Sequence, residues 1–349
     1  MTQSFAIAGR PIGPDHPPYI IAEISGNHNG EIARAKELIS MAKACGADAV
    51  KLQTYTADTI TIDHNGPGFT IKGGLWDGRT LHDLYGEAHT PWEWHGELFD
   101  HAKTEGIACF SSPFDFTAVD LLESLNAPAF KIASFEMIDL PLIRYVARLG
   151  KPMIISTGLA NLGEISEAVA AAKGAGNTQL CLLHCVSAYP AAAEDYNLAT
   201  IAHLGAAFDV QPGLSDHTLG TAVPVAATVL GATVIEKHVT LRRADGGPDA
   251  AFSLEPDELK RLVDDTRTAW AAKGRITYEQ QDGEKGNAQF RRSLYAVAEI
   301  KAGEPLTPVN VRSIRPGFGL APKFYERVLT LTARTDIPRG TPLDWTLLA

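Results

Sequence analysis

Two histidines end consecutive apolar segments of the sequence, and this pair is the clearest indication of chemistry in the chain. His217 follows the run at 208–214, and His238 lies in the run at 233–241. Each stands beside acidic and hydroxyl residues, as a divalent metal site with open coordination positions requires. A buried, hydrogen-bonded histidine explains either one alone. The pair favours a metal site, because the structural explanation would have to apply twice at equivalent strand ends.

Two lysines form the next unusual feature, since each lies inside an otherwise apolar run. Lys51 and Lys131 are costly to bury unless an anion compensates their charge. Pairing with a protein carboxylate is one solution. With Ser134, Ser156 and Ser215 at neighbouring strand ends, the lysines better match a cradle for a phosphate and a carboxylate. Schiff-base aldol chemistry would also suit such a lysine, but it has no need of the two histidines.

Glu23 ends the first apolar run and is a candidate general base or hydrogen-bonding group for a sugar. Helix capping or a salt bridge would explain it nearly as well. Gln53 lies two residues after Lys51, and therefore on the same face of a strand. The other polar candidates near strand ends are Asn27, Ser187 and Tyr189.

Strand-length apolar runs and helical patterns alternate along the chain and must position these residues. The predicted strands are 19–24, 48–54, 107–112, 129–134, 152–157, 180–186, 208–214 and 233–241. The predicted helices are 32–45, 92–104, 117–125, 142–149, 164–173, 198–207, 221–230 and 256–272. Such alternation implies a parallel sheet, and eight units close as a (β/α)8 TIM barrel. Active sites of this fold lie at the carboxyl ends of the strands, where the polar candidates fall.

Two segments depart from the barrel pattern. The insertion at 57–91 is rich in Gly, Asp and aromatic residues, and we expect it to cover the barrel mouth. The barrel domain should end at residue 279, followed by a polar linker at 280–289. Residues 290–349 predict a small β-rich domain with an internal repeat, since 300–306 and 337–343 are near copies. A domain this small is marginally stable unless it packs on a partner surface.

Composition excludes several classes of function. The chain has 31 Lys and Arg against 41 Asp and Glu, a net charge of −10, and no basic stripe. Nucleic acid and anionic membranes are therefore not expected partners. No segment approaches the roughly 20 apolar residues of a membrane span, and we expect a cytoplasmic protein. Its four cysteines lie in apolar patterns and are interpreted as reduced core thiols.

Several motifs together resemble the sialic acid synthase family. They are residues 23–30, 51–53, 130–134, 215–217 and 236–238. Residues 291–295 and 315–317 are similar to the antifreeze-protein-like (SAF) domain of that family. The match covers almost the whole chain, and its motifs occur in order across two domains.

Within the family, residues 73–78, 84–85, 90–95 and 313–320 resemble the branch that makes pseudaminic acid. The resemblance implies condensation of phosphoenolpyruvate with 2,4-diacetamido-2,4,6-trideoxy-L-altrose, releasing phosphate by C–O cleavage. N-acetylneuraminate or legionaminic acid synthase is the alternative. Ser187 departs from the pattern, because sialic acid synthases carry asparagine there. Asp249 matches a sugar-contacting aspartate of the sialic branch, although its neighbours differ.

The resemblance also implies roles for the candidate residues. Catalysis would involve Glu23, His217 and His238, with the two histidines holding a divalent metal, manganese first and magnesium or cobalt as alternatives. The implied phosphoenolpyruvate ligands are Lys51, Lys131, Ser134, Ser156, Ser187 and Ser215, and the implied sugar ligands are Asn27, Gln53, Tyr189, Asp249 and Arg315. A domain-swapped homodimer is also implied, in which Arg315 serves a second subunit. A surface salt bridge is the other explanation for Arg315, and a carbohydrate- or ice-binding protein is the non-enzymatic alternative for the chain.

Overall fold

The computed structural model describes residues 4–349 and divides into two compact units after Gly274. The first unit contains strands β1 Phe5–Ile7, β2 Arg10–Ile12, β3 Tyr19–Glu23, β4 Ala49–Thr54, β5 Ala108–Pro113, β6 Phe130–Ile132, β7 Met153–Ser156, β8 Leu180–Cys185, β9 Gln211–Asp216 and β10 Val234–His238. Its helices are α1 Ile32–Ala44, α2 Ala57–Ile60, α3 Leu81–Ala88, α4 His95–Glu105, α5 Phe116–Ser124, α6 Leu140–Ala147, α7 Leu162–Gly174, α8 Thr200–Phe208, α9 Ala222–Val229 and α10 Pro256–Lys273.

Strands β3 to β10 form a closed parallel barrel in sequential order, with β10 beside β3. The prediction of a (β/α)8 barrel is confirmed. One strand is displaced from its predicted position, since β9 begins at Gln211 and includes Ser215 and Asp216 instead of ending at residue 214. The displacement arises because α8 extends to Phe208 and a left-handed Asp209 (φ 48°) ends it.

Alternation of side chains along each strand separates two cores. Tyr19 and Ile21 of β3 belong to an apolar cluster that fills the barrel interior. Ile20 and Ala22 belong to a different cluster, which packs the outer wall against residues of α1 and α10. Residues that continue the inward series toward the carboxyl ends therefore point into the barrel. They are Glu23 after Ile21, Lys51 after Ala49, Lys131 after Ala129, and Glu236 after Val234.

A short hairpin of β1 and β2 joins the interior core. Phe5, Ile7 and Ile12 share a cluster with the first inward residues of the barrel strands, so the hairpin closes the amino end of the barrel. Its two turn residues, Ala8 and Gly9, adopt positive φ angles of 48° and 81°. The hairpin is absent from the sequence prediction, because three-residue strands are too short to show a period.

The insertion after β4 is more ordered than the loop predicted from its composition. Helices α2 and α3 flank a hairpin-like turn in which Thr70 and Thr80 form a bridge. The Ile71 N–H donates to Arg79 O at 2.9 Å, and the Gly78 N–H donates to Ile71 O at 2.9 Å. These bonds define residues 69–81 as a hairpin, here called the insertion hairpin.

The second unit contains an antiparallel pair, β11 Ser293–Ala296 and β12 Val311–Ile314, and one short helix, α11 Tyr325–Val328. A run of 3-10 turns over Asp282–Phe290 occupies most of the predicted linker. The two sequence repeats pair with each other: Ile300 and Ile337 exchange backbone hydrogen bonds of 3.0 and 2.8 Å. The equivalent Leu306 and Leu343 are both buried in one core. The repeat therefore forms the framework of this unit.

No helix in residues 4–349 is long and apolar enough to cross a membrane.

Candidate active site

The inward residues at the carboxyl ends of the strands form a buried network of opposite charges. Lys131 Nζ donates to Glu236 Oε1 at 3.0 Å, and Lys51 Nζ lies 3.7 Å from the same oxygen. Lys51 also forms an ion pair with Glu23 and donates to Ser112 Oγ at 3.2 Å. Their side chains are at most 5% exposed. Two lysines and two glutamates thus share one desolvated space at the barrel mouth.

The alternative left open from sequence, pairing of the lysines with protein carboxylates, is what the structure shows. Sequence reasoning missed the role of Glu236, although Glu236 lies two residues before His238 and therefore on the same face of β10. Ser215 Oγ donates to the same Glu236 oxygen at 3.2 Å. Glu236 Oε2 has no hydrogen-bond partner in residues 4–349, so the network keeps an unused acceptor.

The two glutamates differ in their protonation. Burial raises the pKa of Glu23 to about 7, against the opposing attraction of Lys51. Burial also opposes ionisation of Glu236, but Lys131 and Lys51 outweigh it and hold the pKa of this carboxyl below its usual value. Near neutral pH, Glu23 can therefore gain or lose a proton, while Glu236 remains a carboxylate.

The two histidines lie together beside this network, with ring centroids 5.4 Å apart. His217 Nδ1 donates to Val186 O at 2.8 Å, which leaves Nε2 as the ring nitrogen that can meet the Cys185 side chain or a ligand. His238 Nδ1 is buried without a hydrogen-bond partner among the described residues, and it lies 3.9 Å from Asp249 Oδ2. Burial, with a smaller effect of His217, holds the pKa of His238 well below its usual value. His238 is therefore the neutral imidazole that metals bind.

Two neighbours of His217, Tyr196 and Cys185, are not among the site residues predicted from the sequence. The Tyr196 hydroxyl accepts from the His217 N–H at 2.7 Å and donates to Ser215 O at 3.3 Å, which fixes the backbone between these two residues. The Cys185 side chain interacts with His217 and raises its pKa against the effect of burial. Cys185 is a free, buried thiol, as predicted. Its neighbours His217 and Lys131 nevertheless place it in the site and not in an apolar core.

The histidine pair fits a divalent ion with open coordination positions. No group of three or more His, Cys, Asp or Glu side chains placed to hold a metal occurs in residues 4–349. A bound ion would therefore take its remaining ligands from water or substrate, as in catalytic metal sites. The unpartnered His238 Nδ1 and the Nε2 of His217, which would exchange its contact with Cys185 for the ion, are the groups that could bind it.

Three of the predicted serines surround Gly158 and β7. Ser134 Oγ accepts from the Gly158 N–H at 3.2 Å. A side chain on Gly158 would bring its first carbon to 2.2 Å from Ser187 Oγ and 2.7 Å from Ser134 Oγ, so a larger residue would have to displace both hydroxyls. Ser156 Oγ is buried and has no hydrogen-bond partner in residues 4–349. The serines thus line a space that an oxygen-rich ligand could occupy.

The predicted sugar ligands differ in how far their side chains are already hydrogen-bonded or packed against other residues. Asn27 Nδ2 donates to Val239 O and Ser253 Oγ, both at 2.8 Å, so its amide group is held by the segment after β10. Asp249 accepts from the Ser25 hydroxyl, and Ser25 is held in a left-handed conformation (φ 52°). Tyr189 packs on His217, with centroids 4.4 Å apart. Gln53 lies half-buried near the end of β4.

Arg315 belongs to the second unit, where it lies just after β12 and is exposed. It forms no ion pair within residues 4–349, so the surface salt bridge is not observed. Its role, like that of the other candidate residues, stays a prediction.

The chain combines a TIM barrel with a small second unit, and the mouth of the barrel holds two buried lysines and a histidine pair. This combination places it among two-domain barrel enzymes. The NeuB family model matches residues 38–278, and the SAF domain model matches residues 291–349. The chain belongs to the NeuB family, which confirms the resemblance to sialic acid synthases.

Three relatives are similar to this chain over most of its length. The chain is 46% identical to a pseudaminic acid synthase of Campylobacter jejuni, over 94% of this chain and 96% of that protein. It is 44% identical to a pseudaminic acid synthase of Helicobacter pylori, over 94% and 97%. An N,N'-diacetyllegionaminic acid synthase of Campylobacter jejuni is 40% identical, over 89% and 94%.

Among solved structures, an N-acetylneuraminic acid synthetase from Leptospira borgpetersenii in complex with citrate superimposes with a TM-score of 0.74. It is 30% identical, and the match covers 83% of this chain and 97% of that one. A phospho-2-dehydro-3-deoxyheptonate aldolase from Thermotoga maritima shares the fold, with a TM-score of 0.61 at 13% identity over 79% of this chain and 76% of that one.

Proposed function

We propose that this enzyme condenses phosphoenolpyruvate with 2,4-diacetamido-2,4,6-trideoxy-L-altrose to give pseudaminic acid and phosphate. The observation that carries the proposal is the meeting of two buried lysines, uncommitted serine hydroxyls and a histidine pair at one barrel mouth. The 44% and 46% identical pseudaminic acid synthases support the choice of sugar.

Lys51 and Lys131 are the anchors for the phosphate and carboxylate of phosphoenolpyruvate. Glu23 and Glu236 balance their charges, which allows both ammonium groups to be buried. An arriving anion gains charge-assisted hydrogen bonds from groups that are already desolvated and oriented. The hydroxyls of Ser134, Ser156, Ser187 and Ser215 complete the proposed cradle.

His217 and His238 are the proposed holders of the metal, with manganese first and magnesium or cobalt as alternatives. A bound divalent ion would supply Lewis acidity at the sugar aldehyde. The hydrogen bond from His217 Nδ1 to Val186 O fixes the tautomer of that ring. Asn27, Gln53, Tyr189 and Asp249 would orient the sugar so that its aldehyde lies at the histidines.

Glu23 is the proposed proton acceptor. Carbon C3 of phosphoenolpyruvate forms a bond to the aldehyde carbon, which leaves a cation at C2, and the aldehyde oxygen takes up a proton. Water then adds at C2 and gives one proton to Glu23, which replaces the proton taken up by the aldehyde oxygen. Phosphate leaves with the electrons of the C–O bond and with the second water proton, so that a carbonyl forms at C2. A carboxyl with a pKa of about 7 suits this task at neutral pH.

We also propose a homodimer in which the SAF domain of one chain completes the barrel of the other, with Arg315 reaching an acylamino group of the sugar. Large apolar side chains are exposed in the segments that follow barrel strands at the mouth, and a subunit interface would bury them. They are Phe116, Phe135, Ile138, Leu159, Leu162 and Leu219, each between 47% and 74% exposed. A cytoplasmic location is proposed, because phosphoenolpyruvate is made there.

Phosphate release tests the activity. Purified enzyme is supplied with phosphoenolpyruvate, manganese and either the diacetamido sugar or N-acetylmannosamine. We expect the larger kcat/KM with the diacetamido sugar. Comparable values for the two sugars would instead support the N-acetylneuraminate or legionaminic acid alternative. Borohydride treatment should trap no covalent adduct, whereas a Schiff-base aldolase would be captured.

Subunit complementation tests the dimer. An inactive His217→Ala chain is mixed with an inactive Arg315→Ala chain under conditions in which labelled subunits exchange. If Arg315 acts in trans, one site of each mixed dimer carries neither lesion, and activity returns. No recovery despite demonstrated exchange would assign Arg315 to its own chain or to no site.

A further inference from the structure

The tip of the insertion hairpin places one aromatic side chain against the barrel mouth. Gly73 and Gly74 adopt φ angles of 79° and 74°, which make the sharp turn before Trp76. The neighbouring residues 72–75 and 77–78 are exposed, whereas Trp76 is half-buried. The hairpin therefore buries one side chain at its tip and leaves the others in solvent.

Two contacts far away in sequence hold the Trp76 indole. Its Nε1–H donates to Pro248 O at 3.1 Å, across 172 residues. Its ring centroid lies 5.9 Å from that of Tyr189. Pro248 precedes Asp249, and Tyr189 packs on His217. Trp76 is thus fixed to both segments that border the histidine pair.

The contacts also determine what the indole can offer to a substrate. Tryptophan has one hydrogen-bond donor and no acceptor, and Pro248 O already takes that donor. Phe252 extends the aromatic surface, with its centroid 5.2 Å from Tyr189 and 5.0 Å from His238. A substrate hydroxyl placed against Trp76 would lose its water and find no partner in the indole, while a methyl group would lose nothing.

We propose that Trp76 determines the specificity of the site by forming an apolar wall for the methyl end of a 6-deoxy sugar. The inference rests on the proposed function, in which the sugar aldehyde lies at His217 and His238. The ring of Tyr189 contacts both Trp76 and His217, whereas no ring contact joins Trp76 to either histidine in residues 4–349, so we place Trp76 at the end of the sugar that is remote from the aldehyde. An apolar wall of this kind rejects an added hydroxyl by up to about 10²-fold.

The test compares two sugars that differ at one atom: the 2,4-diacetamido-2,4,6-trideoxy sugar and the same sugar with a hydroxyl at C6. The measured quantity is the ratio of their kcat/KM values. For the wild-type enzyme, we expect a ratio of about 10 to 10² in favour of the 6-deoxy sugar. In Trp76→Ala, the ratio should approach one, through loss of activity on the 6-deoxy sugar, while the KM for phosphoenolpyruvate stays within about twofold.

Two further variants separate the wall from the hydrogen bond. Trp76→Phe keeps a ring and removes the donation to Pro248 O, so most of the preference should remain. Trp76→Gln adds a donor and an acceptor, and it should raise the relative activity on the 6-hydroxy sugar. Leu75→Ala is the matched control, because Leu75 lies beside Trp76 but is 49% exposed, and its ratio should equal that of the wild type. Thermal unfolding of each variant verifies folding.

The results distinguish this inference from the proposed function. If the wild-type enzyme prefers the 6-deoxy sugar and Trp76→Ala loses activity equally on both sugars, Trp76 only holds the hairpin, and the inference is overturned. If the wild-type enzyme acts on neither diacetamido sugar, the proposed function itself fails.

Discussion

The barrel wall carries buried lysine–carboxylate pairs on both of its faces, and the two sets differ in what they leave unsatisfied. On the outer face, Lys237 pairs with Asp216 and also donates to Thr218 O, and both paired side chains are 0% exposed. On the inner face, Lys51 and Lys131 share Glu236, whose Oε2 has no partner among the described residues. The outer pair is a closed unit, whereas the inner network keeps capacity for a ligand.

The difference shows that burial of a charge does not by itself indicate function. Glu236 and Lys237 are adjacent on β10, and adjacent residues of a strand point to opposite faces. Glu236 therefore points into the barrel mouth, whereas Lys237 points to the outer wall.

The largest effect is expected at the histidines beside the inner network. His217→Ala and His238→Ala should reduce metal-dependent turnover below detection, because each removes one of the two protein groups available to the ion. Phosphate release with added manganese measures it. His203→Ala, at an exposed position, is the matched control. Full activity of the site variants in chelator-treated, metal-free buffer would contradict the metal site.

The second effect concerns the closed outer pair. Lys237→Met should lower the free energy of unfolding by about 3–5 kcal/mol, because it leaves Asp216 buried without its cation. Urea denaturation measures the loss, and calorimetry of the folded protein should show unchanged affinity for phosphoenolpyruvate. A large loss of affinity with little loss of stability would reverse the distinction between the two faces.

The third effect concerns the open inner network. Lys51→Met and Lys131→Met should each weaken phosphoenolpyruvate binding by about 10- to 10²-fold, the amount expected from a charge-assisted hydrogen bond worth about 1.5–3 kcal/mol. Methionine keeps the approximate volume and removes the charge. Isothermal calorimetry compares both variants with Lys237→Met. Unchanged binding in both would place the cradle elsewhere.

The smallest effect is the pH dependence set by Glu23. Because its pKa in the folded chain is raised to about 7, kcat should fall about tenfold per pH unit below that value, as the acceptor becomes protonated. The folded chain holds this proton where an unfolded glutamate has lost it, so the contribution of Glu23 to stability declines as pH rises from about 4.5 to 7. Glu23→Gln should remove both dependences. If the decrease of kcat at low pH persists in Glu23→Gln, a group other than Glu23 is responsible for it.

The barrel and the position of its site could be predicted because both follow from regular patterns. Apolar strands that alternate with helical segments imply the closed parallel sheet. Because active sites of such barrels lie at the carboxyl ends of the strands, residues such as Lys51 and His238 could be chosen as candidates. Sequence alone could not show that Glu236 balances two lysines, since the pairing depends on the stagger of strands that are 105 residues apart.

Other features depend on contacts that leave no local signal. Tyr196, which holds the backbone at His217, looks like an ordinary core aromatic in the sequence. The bond from Trp76 to Pro248 joins an insertion to the last barrel loop. The role of Arg315 depends on a second chain, so it stays a prediction.

The paired repeats of the second unit have an evolutionary consequence. Ile300 and Ile337 bind each other through the backbone, and Leu306 and Leu343 fill one core, so a duplicated segment supplies both halves of a self-complementary frame. Exposed residues between the two copies, such as Arg315, can therefore change while the frame persists, whereas buried ones such as Val311 and Val328 belong to the same core. Such an arrangement lets natural selection change what the unit recognises without changing how it folds.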